Sequence, residues 1–372
     1  MSDKVADSAR REPIVLATIA NEAYFHGLCV TVLSAIISTS SDQRLRIYAL
    51  DTGLSEESRG TLSQLVGSLG PAAEVVFHDV DGSRFEGFST DYGGGHSTYA
   101  RLMLGEVVPE KRVIYLDADF LVCRDLGELW SREISPHVML AAPDLAGVEG
   151  SERRLSCDCP FLPAHVADGF TYFNCGFLFV DLEAWRRDNL GVETVRQVAG
   201  YEEKLGAWDQ TILNYVLRGR IGRLEAHWSR SCWVDAVIGP ENFHYVSNKK
   251  PWNHGYPMPL YRAWYEFHRV FVRPSRRLDL GIKARLWGGL GYVRDCLCAR
   301  HGGLAGFYLG NLRRRQGTRI ADAYEIHLKR FRRALSDRRW RCSKDLERLV
   351  GRWLELAGRR RGEIAGADDR PA

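Results

Sequence analysis

The most constraining feature of the chain is an apolar segment that ends in two aspartates with one residue between them. Residues 113–116 are Val-Ile-Tyr-Leu, an unbroken apolar run that is typical of a strand buried on both faces. Asp117 and Asp119 follow directly. Burying two carboxylates at a strand end is costly unless a cation or hydrogen-bond donors offset their charge. If the chain turns at Asp117, both carboxylates converge on one hard cation such as Mg²⁺ or Mn²⁺, which often bridges protein to substrate phosphates.

Taken alone, an Asp-x-Asp pair also fits an ordinary loop with solvated side chains, so the surrounding pattern has to decide. Apolar strands are predicted at residues 14–20, 45–50 and 73–77, with helical spacing of apolar residues between them. This alternation predicts an α/β fold with a mostly parallel sheet, in which ligands bind beyond the carboxyl ends of the strands. Asn21, Asp51 and the aspartate pair follow such ends, so we expect them at one edge of the sheet.

Charge is distributed unevenly along the chain. Residues 273–362 hold 24 of the 51 Lys+Arg and 8 of the 47 Asp+Glu, a net charge of +16, which leaves −12 for the remainder. We therefore expect an acidic body and a basic helical C-terminal region with different partners. Arginine clusters beside apolar, Trp-bearing helical faces are typical of a segment that lies on anionic lipid. Two alternatives stay open: a helical subdomain packed on the body, and nucleic-acid binding, for which no known motif is present.

The sequence gives three indications of the compartment. It has no run of about 18 uncharged apolar residues, which predicts no transmembrane helix. The first dozen residues are polar and lack the apolar core of a secretory signal. Nine cysteines lack the C-x-x-C spacing of zinc sites, which favours reduced thiols. We therefore expect a cytoplasmic protein.

Six short motifs follow one another between Ile14 and Trp252. They are Thr18-x-x-Asn21-Glu22-Ala23-Tyr24, Thr98-Tyr99-Ala100-Arg101-Leu102, Tyr115-Leu116-Asp117-Ala118-Asp119, Tyr172-Phe173-Asn174-Cys175-Gly176, Asp209-Gln210-x-Ile212-Leu213-Asn214 and His244-Tyr245-x-x-x-x-Lys250-Pro251-Trp252. In this order, they resemble glycosyltransferase family 8, which includes bacterial lipopolysaccharide and lipooligosaccharide galactosyl- and glucosyltransferases and, more distantly, the glycogenins. The resemblance covers roughly two thirds of the chain.

The resemblance implies a GT-A nucleotide-sugar-binding domain over residues 12–265. The basic amphipathic region, residues 273–362, is then expected to attach the protein to an anionic membrane surface, on the inner face of the cell membrane. The implied reaction is retaining transfer of a hexose, galactose or glucose, from a UDP-sugar to a saccharide acceptor. The acceptor is expected in lipopolysaccharide or other cell-surface glycan synthesis, and the implied metal is Mn²⁺ or, less readily, Mg²⁺.

The resemblance also implies which residues hold the metal and the diphosphate. Asp117, Asp119 and His244 match the family's metal ligands, and an imidazole beside two carboxylates suits Mn²⁺ better than Mg²⁺. Lys250 matches a lysine that contacts the diphosphate, where its ammonium would offset the charge that develops on the leaving UDP. Arg101 matches an arginine that grips the donor, because its forked guanidinium suits phosphate or vicinal oxygens.

A second group of residues is expected around the sugar. Asn174 and Asp209 match groups that hold sugar hydroxyls, Gln210 lies near the anomeric carbon, and Asp144 lies with Gln210 on the acceptor side. The catalytic assignments are Asp209 and Gln210. The positions assigned to donor binding are Ala17, Asn21, Arg101, Asp117, Ala118, Asn174, Asp209, Ser247 and Lys250.

Two positions depart from the family pattern. A carboxylate that is usual in the lipooligosaccharide enzymes is replaced by Ile19, so uracil must be held differently, by backbone groups and Asn21. The glycine that usually follows His-Tyr-x is Ser247, which alters the close approach of backbone to phosphate. Neither position carries a metal ligand, so we expect an active enzyme.

Retention of configuration leaves two mechanisms, a double displacement and a same-face attack by the acceptor hydroxyl. We favour the same-face attack, with the leaving phosphate as base, because the amide of Gln210 is a poor nucleophile and Asp209 suits binding of sugar hydroxyls. Three other functions stay open. The first is an Asp-x-Asp Mg²⁺-dependent phosphohydrolase, although Leu121 stands where such enzymes have Thr or Val. The others are a catalytically weak UDP-sugar-binding protein and self-glucosylation of the glycogenin type.

Overall fold

The computed structural model describes residues 12–86, 88, 97–144, 171–198, 208–231, 241–246, 250–253, 259–276, 293–294, 297–298, 301–316 and 343–363. The prediction for Ser247 lies outside these ranges, so no position is given for its side chain.

A seven-stranded sheet forms the centre of the described fold. Its strands are β1 (Ile14–Ala20), β2 (Leu45–Asp51), β3 (Ala73–Asp79), β4 (Arg112–Leu116), β6 (Met139–Pro143), β7 (Phe173–Asp181) and β8 (Ile221–Arg223). The strand order is β3-β2-β1-β4-β7-β6-β8, and β7 alone among them runs antiparallel to its neighbours. The prediction of an α/β fold with a mostly parallel sheet is therefore confirmed.

A second, three-stranded sheet lies beside the aspartate pair. It consists of β5 (Phe120–Leu121), β9 (Arg230–Ser231) and β10 (Phe243–His244), with β10 in the middle. The described α-helices are α1 (Phe25–Ser38), α2 (Glu56–Gly67), α3 (Leu104–Val107), α4 (Leu126–Trp130), α5 (Leu182–Arg187), α6 (Leu190–Val198), α7 (Trp208–Val216), α8 (Pro259–Phe271), α9 (Gly302–Gln316) and α10 (Ser343–Arg360). None of the helices in the described residues has the length and hydropathy needed to cross a bilayer.

Residues Ser97–Met103 form a 3-10 helix that continues into the single turn of α3. Two strands end later than the apolar pattern predicts. The strand predicted at residues 45–50 ends at Asp51, and the strand predicted at residues 73–77 ends at Asp79. Such boundary shifts arise because the apolar pattern marks buried residues, whereas the ladder of hydrogen bonds decides where an element ends.

The C-terminal helix α10 packs on the body of the protein. Its apolar face is buried in the same core as the sheet, and this face comprises Leu346, Leu349, Trp353 and Ala357. The Trp353 ring meets Phe267 of helix α8 edge to face, with 5.0 Å between ring centroids. Helix α10 therefore follows the alternative of a helical segment packed on the body, and its apolar face is not available to lipid.

Arg360 ties the end of helix α10 to the end of helix α1. Its guanidinium is buried and donates to the backbone carbonyls of Thr39 (2.9 Å), Ser40 (2.7 Å) and Gln43 (2.8 Å). These carbonyls follow the last turn of α1, where carbonyls lack helical partners and a cation is favourable. Part of the basic tail is therefore a structural component of the α/β domain.

A pair of buried histidines joins helix α1 to helix α8. The His26 Nδ1 and His268 Nε2 atoms lie 3.0 Å apart. Burial, with the nearby Arg276, lowers the pKa of His26 to about 4. Burial, with His26 and Arg273, lowers the pKa of His268 to about 3. Both imidazoles are thus neutral in the folded protein at pH values where an unfolded chain already binds protons.

This pair predicts a loss of stability in mild acid. Both folded pKa values lie below the unfolded value of about 6.5. The contribution of the histidine pair to the free energy of unfolding is therefore complete above pH 6.5. It is lost progressively as the pH falls from about 6.5 to the folded pKa values of about 4 and about 3. Each histidine can add a slope of up to about 1.4 kcal/mol per pH unit. Urea unfolding at pH 7, 6 and 5 should show a shallower loss for His268→Phe than for the wild type, and equal slopes would contradict this assignment.

Candidate active site

The aspartate pair lies where β4 ends, between the two sheets. The backbone N–H of Asp117 donates to the carbonyl of Gly176 on β7, at 2.8 Å. The carbonyl of Asp119 accepts from the N–H of Tyr245 at 2.9 Å, which joins the pair to the segment carrying His244. The chain turns between the two aspartates, so both carboxylates face one point, as the sequence predicts.

Three potential metal ligands meet at this point. His244 Nε2 lies 3.1 Å from Asp119 Oδ1 and 3.7 Å from Asp117 Oδ2. The ligand atoms of all three residues lie within 4.8 Å of one another. Asp119 Oδ1 is buried and makes no well-aligned hydrogen bond to any described residue. A buried carboxylate oxygen of this kind, with an imidazole and a second carboxylate around it, fits a divalent cation of the Mn²⁺ type.

Gly176 gives this cluster its space. A Cβ atom at this position would stand 2.2 Å from His244 Cε1 and 2.8 Å from Asp117 Oδ2. Any other side chain would therefore displace two of the three ligand candidates. A glycine inside an apolar strand is typical of a close approach of this kind.

Tyr115 and Arg101 fix the orientation of the Asp117 carboxylate. The Tyr115 hydroxyl donates to Asp117 Oδ1 at 2.6 Å, and Arg101 Nη2 lies 3.1 Å from the same oxygen. Asp117 Oδ2 remains directed towards His244. No role for Tyr115 was predicted from the sequence, although a residue two positions before Asp117, at the end of a strand, is placed on the same face as Asp117.

Lys250 is buried against Asp119. Its ammonium forms an ion pair with Asp119 Oδ2 and donates to the carbonyl of Tyr245 at 2.9 Å. Burial disfavours both charges, but each offsets the cost for the other: the pKa of Asp119 is lowered and that of Lys250 is raised. A lysine so placed carries its charge to the position where an anionic ligand of the metal cluster would bind.

Arg101 connects the aspartate pair to Asp209. Its Nε lies 2.7 Å from Asp209 Oδ2, and its guanidinium also donates to the carbonyls of Thr98 and Cys175. The second Asp209 oxygen accepts from the Thr98 hydroxyl. Burial raises the pKa of Asp209 to about 6, against the lowering effects of Arg101 and Thr98. Thr98 holds Asp209 in place, a role that its presence in a sequence motif did not reveal.

Gln210, Asn174 and Asp144 form a chain of polar side chains next to Asp209. Gln210 Oε1 accepts from the N–H of Cys175 at 3.0 Å and faces Asn174 Nδ2 at 3.3 Å. The same Asn174 nitrogen lies 3.4 Å from Asp144 Oδ1. These three predicted site residues therefore lie together, and they present amide and carboxylate groups suited to binding hydroxyls.

The remaining predicted donor positions lie along the same edge. Ala17 is buried in β1, opposite Tyr48 of β2 and Tyr115 of β4. Asn21 Nδ2 faces the Ser97 hydroxyl at 3.4 Å, while its Oδ1 is buried with no hydrogen bond to the described residues. Ala118 lies between the two aspartates and is buried.

Asp51 reaches the edge of the sheet but not the site. Its Oδ1 accepts from the N–H groups of Gly53 (2.7 Å) and Leu54 (2.6 Å), and its Oδ2 pairs with Arg59 at 2.5 Å. Asp51 therefore lies at the predicted edge of the sheet, but its side chain stabilises the turn that follows β2 and takes no part in the site.

Comparison with known proteins concerns the family to which the chain belongs. The profile described as "Glycosyl transferase family 8" matches residues 15–255, which include every site residue described above. The chain belongs to glycosyl transferase family 8. As a member of this family it is a glycosyltransferase, and the resemblance read from the sequence is confirmed.

Relatives and solved structures agree with the family. The chain is 24% identical to General stress protein A of Bacillus subtilis over 70% of this chain and 94% of that protein. It is 21% identical to the lipopolysaccharide 1,3-galactosyltransferase of Salmonella typhimurium, over 63% and 72% of the two chains. The crystal structure of the galactosyltransferase LgtC with donor and acceptor sugar analogues is similar, with a TM-score of 0.61, 26% identity, and coverage of 70% and 96%. The fold is therefore GT-A-like.

Other relatives of this family 8 chain extend well beyond the matched region. In four streptococcal proteins, the matched region spans between 33% and 58% of the relative's length. The family and fold thus hold for the common domain, whereas donor, acceptor and location are questions for this chain's own residues.

Proposed function

We propose that the protein transfers a hexose, galactose or glucose, from a UDP-sugar to a saccharide acceptor with retention of configuration. The observation that carries this proposal is the cluster of Asp117, Asp119 and His244 beside the buried Lys250, at the edge of a GT-A-like sheet. A site for a divalent cation with an ammonium beside it is what a diphosphate leaving group requires.

The donor diphosphate would be held by the metal cluster and Lys250. Asp117, Asp119 and His244 would hold Mn²⁺, which when bound supplies Lewis-acid neutralisation of the leaving diphosphate. Lys250 reaches the cluster through Asp119 Oδ2. Turning its ammonium from this oxygen to a phosphate exchanges one charge-assisted contact for another. Ala17, Ala118 and Asn21 would line the nucleoside side of the donor.

The hexose would lie over the polar chain of Asp144, Asn174, Asp209 and Gln210. We favour a same-face attack by the acceptor hydroxyl, with the leaving phosphate as its base. Asp209 is already engaged by Arg101 and by the Thr98 hydroxyl, which supports a binding role over attack on the anomeric carbon. Gln210 carries a neutral amide, which can stabilise positive charge at the anomeric carbon but is a weak nucleophile.

A titration separates this proposal from its alternatives. Calorimetry of UDP with the wild-type protein in Mn²⁺ should give clear binding. EDTA should weaken that binding at least about tenfold, since it removes the cation that would neutralise the diphosphate. ADP should bind more weakly than UDP. Equal UDP binding in Mn²⁺ and EDTA would refute the metal-diphosphate site, while tight UDP binding without turnover of any UDP-sugar would identify a binding protein.

The acceptor is proposed to be a cell-surface glycan, such as lipopolysaccharide, synthesised at the inner face of the cell membrane. The similarity to a lipopolysaccharide 1,3-galactosyltransferase supports this choice. A peripheral enzyme also needs a surface that meets lipid, and helix α10 does not provide it because its apolar face is buried.

Helix α9 is the better candidate for the membrane contact. Its Phe307 side chain is 70% exposed and Leu304 is 49% exposed, and the preceding segment adds exposed Val293 and Leu297. Exposed Arg313 and Arg314 lie on the same helix, one to two turns after Phe307. An apolar surface beside basic side chains suits the headgroup region of anionic lipid.

We expect Phe307→Asp to reduce sedimentation with vesicles of phosphatidylglycerol and phosphatidylcholine by at least about fivefold, since it removes apolar burial and adds a repelled charge. Hydrolysis of the donor in solution should remain unchanged, because Phe307 is an exposed residue outside the set of site residues described above. Equal sedimentation of the variant and the wild type would contradict the assignment of α9 to the membrane.

A further inference from the structure

Strand β5 continues the chain directly after Asp119, and its two edges have different partners. One edge pairs with β10, with Phe120 opposite His244 and Leu121 opposite Phe243. The other edge faces helix α1, and none of the described strands pairs with it. Leaving such buried backbone groups without partners would destabilise the fold.

Three hydroxyls of helix α1 take the place of a neighbouring strand. The Thr31 hydroxyl accepts from the N–H of Phe120 and donates to its carbonyl, both at 3.0 Å. Ser34 Oγ accepts from the N–H of Val122 at 2.9 Å, and Ser38 Oγ donates to the carbonyl of Val122 at 2.9 Å. Spacings of three and four residues put these side chains on one face of the helix. We call Thr31, Ser34 and Ser38 the hydroxyl stripe.

Thr31 binds the backbone of Phe120, which is a direct neighbour of two metal-ligand candidates. Phe120 follows Asp119 in the chain and lies opposite His244 across the β5–β10 pair. Because Thr31 holds both backbone groups of Phe120, this pair exchanges no backbone hydrogen bonds, and side chains of such pairs lie close together. The Phe120 and His244 rings accordingly stack, with 4.3 Å between centroids and 19° between planes.

We infer that Thr31 is a positioning residue for the metal site, and that it holds Asp119 and His244 in register through Phe120. The inference rests on the proposed metal-dependent function. It goes beyond the ligands themselves, because Thr31 contacts neither carboxylate nor imidazole and lies 89 residues from Phe120 in the chain. A shift of Phe120 would move Asp119 through the chain and His244 through the stacked ring.

A purely structural role predicts a different pattern of effects, and Ser38 offers the matched comparison. Ser38 belongs to the same stripe, but it donates to the carbonyl of Val122, which follows β5 and lies three residues after Asp119. If the stripe only satisfies buried backbone groups, removing the hydroxyl of Thr31 or of Ser38 should lower the stability. The two variants should then bind metal equally well.

The test measures Mn²⁺ binding directly, by electron paramagnetic resonance of free Mn²⁺ in the presence of saturating UDP. Thr31→Val keeps the side-chain shape and removes both hydrogen bonds to Phe120. We expect its Mn²⁺ dissociation constant to rise about tenfold, the scale seen when groups that orient metal ligands are lost. Thr31→Ser should stay within about twofold of the wild type, since it keeps the hydroxyl. Ser38→Ala should lose stability and keep the wild-type constant.

Unchanged Mn²⁺ binding in Thr31→Val would overturn the inference, as would an equal rise in Thr31→Val and Ser38→Ala. If Thr31→Val does not fold, Thr31→Cys replaces it. A thiol is a weaker and longer hydrogen-bonding group, so an intermediate constant is expected, and a wild-type constant would overturn the inference. Failure of the wild type itself to bind Mn²⁺ would instead refute the proposed function, so the two failures are distinguishable.

Discussion

Replacing Asp119 with Asn is expected to lower the rate of UDP release from the preferred UDP-sugar by at least about 10³-fold, which corresponds to about 4 kcal/mol of transition-state stabilisation. The Asn side chain keeps the volume of the carboxylate and one acceptor oxygen for Lys250, so the buried ammonium retains a partner. What is lost is the charge that would hold a divalent cation with Asp117 and His244. Mn²⁺ titration of the variant should show correspondingly weak binding.

Asp51→Asn is the matched control for this substitution. Asp51 is also a buried aspartate at the carboxyl end of a parallel strand, but its oxygens bind Gly53, Leu54 and Arg59. We expect this variant to lose some stability and to retain UDP release within about twofold. Comparable losses of rate in both variants would show that a general effect on the sheet edge, and not metal binding, explains the result.

Replacing Trp353 with Ala is expected to destabilise the whole α/β domain by about 3–5 kcal/mol. The indole is 1% exposed and lies against Phe267 of helix α8, within the same core as the central sheet. Its removal leaves a large cavity between helix α10 and helix α8. Urea unfolding, followed by the fluorescence of the remaining tryptophans or by circular dichroism, should report one transition at a lower midpoint.

The neighbouring Leu354 provides the control, because its side chain is 51% exposed, on a part of the helix surface that faces solvent. Leu354→Ala should change the free energy of unfolding by no more than about 0.5 kcal/mol. If helix α10 served only to bind lipid, Trp353→Ala would leave the stability unchanged and reduce vesicle binding instead. The structure predicts the reverse, and it also predicts that deleting residues 343–363 will yield an unstable protein rather than a soluble active enzyme.

The residues around the aspartate pair could be predicted from the sequence where a local pattern reports a physical constraint. An apolar strand running into Asp117 and Asp119 predicted clustered carboxylates, and a glycine inside an apolar run, as at Gly176, indicates a close approach. Both signals are local, because the strand period and the lack of a side chain can be read without knowing the partner. The place of His244 needed the family resemblance, since its partner lies 125 residues away.

Long-range partners explain what the sequence could not predict. Thr31 and Ser34 follow the helical spacing of the apolar residues of α1, and nothing local shows that a strand edge faces them. Arg360 counted as one charge in a basic tail, whereas the fold buries it against three carbonyls. Asp51 shared the topology of the site residues but turned to its own loop. In each case tertiary contacts, not local propensity, decided the role.

The most direct test of the account is UDP release from a panel of UDP-sugars by the wild-type protein, in Mn²⁺ and in EDTA, without acceptor. Slow hydrolysis of the donor is expected from a metal-dependent transferase. The account predicts Mn²⁺-dependent release from UDP-galactose or UDP-glucose that EDTA abolishes and that Asp119→Asn lacks. Release that persists in EDTA, or that Asp119→Asn retains, would contradict the assignment of Asp117, Asp119 and His244 as the centre of the reaction.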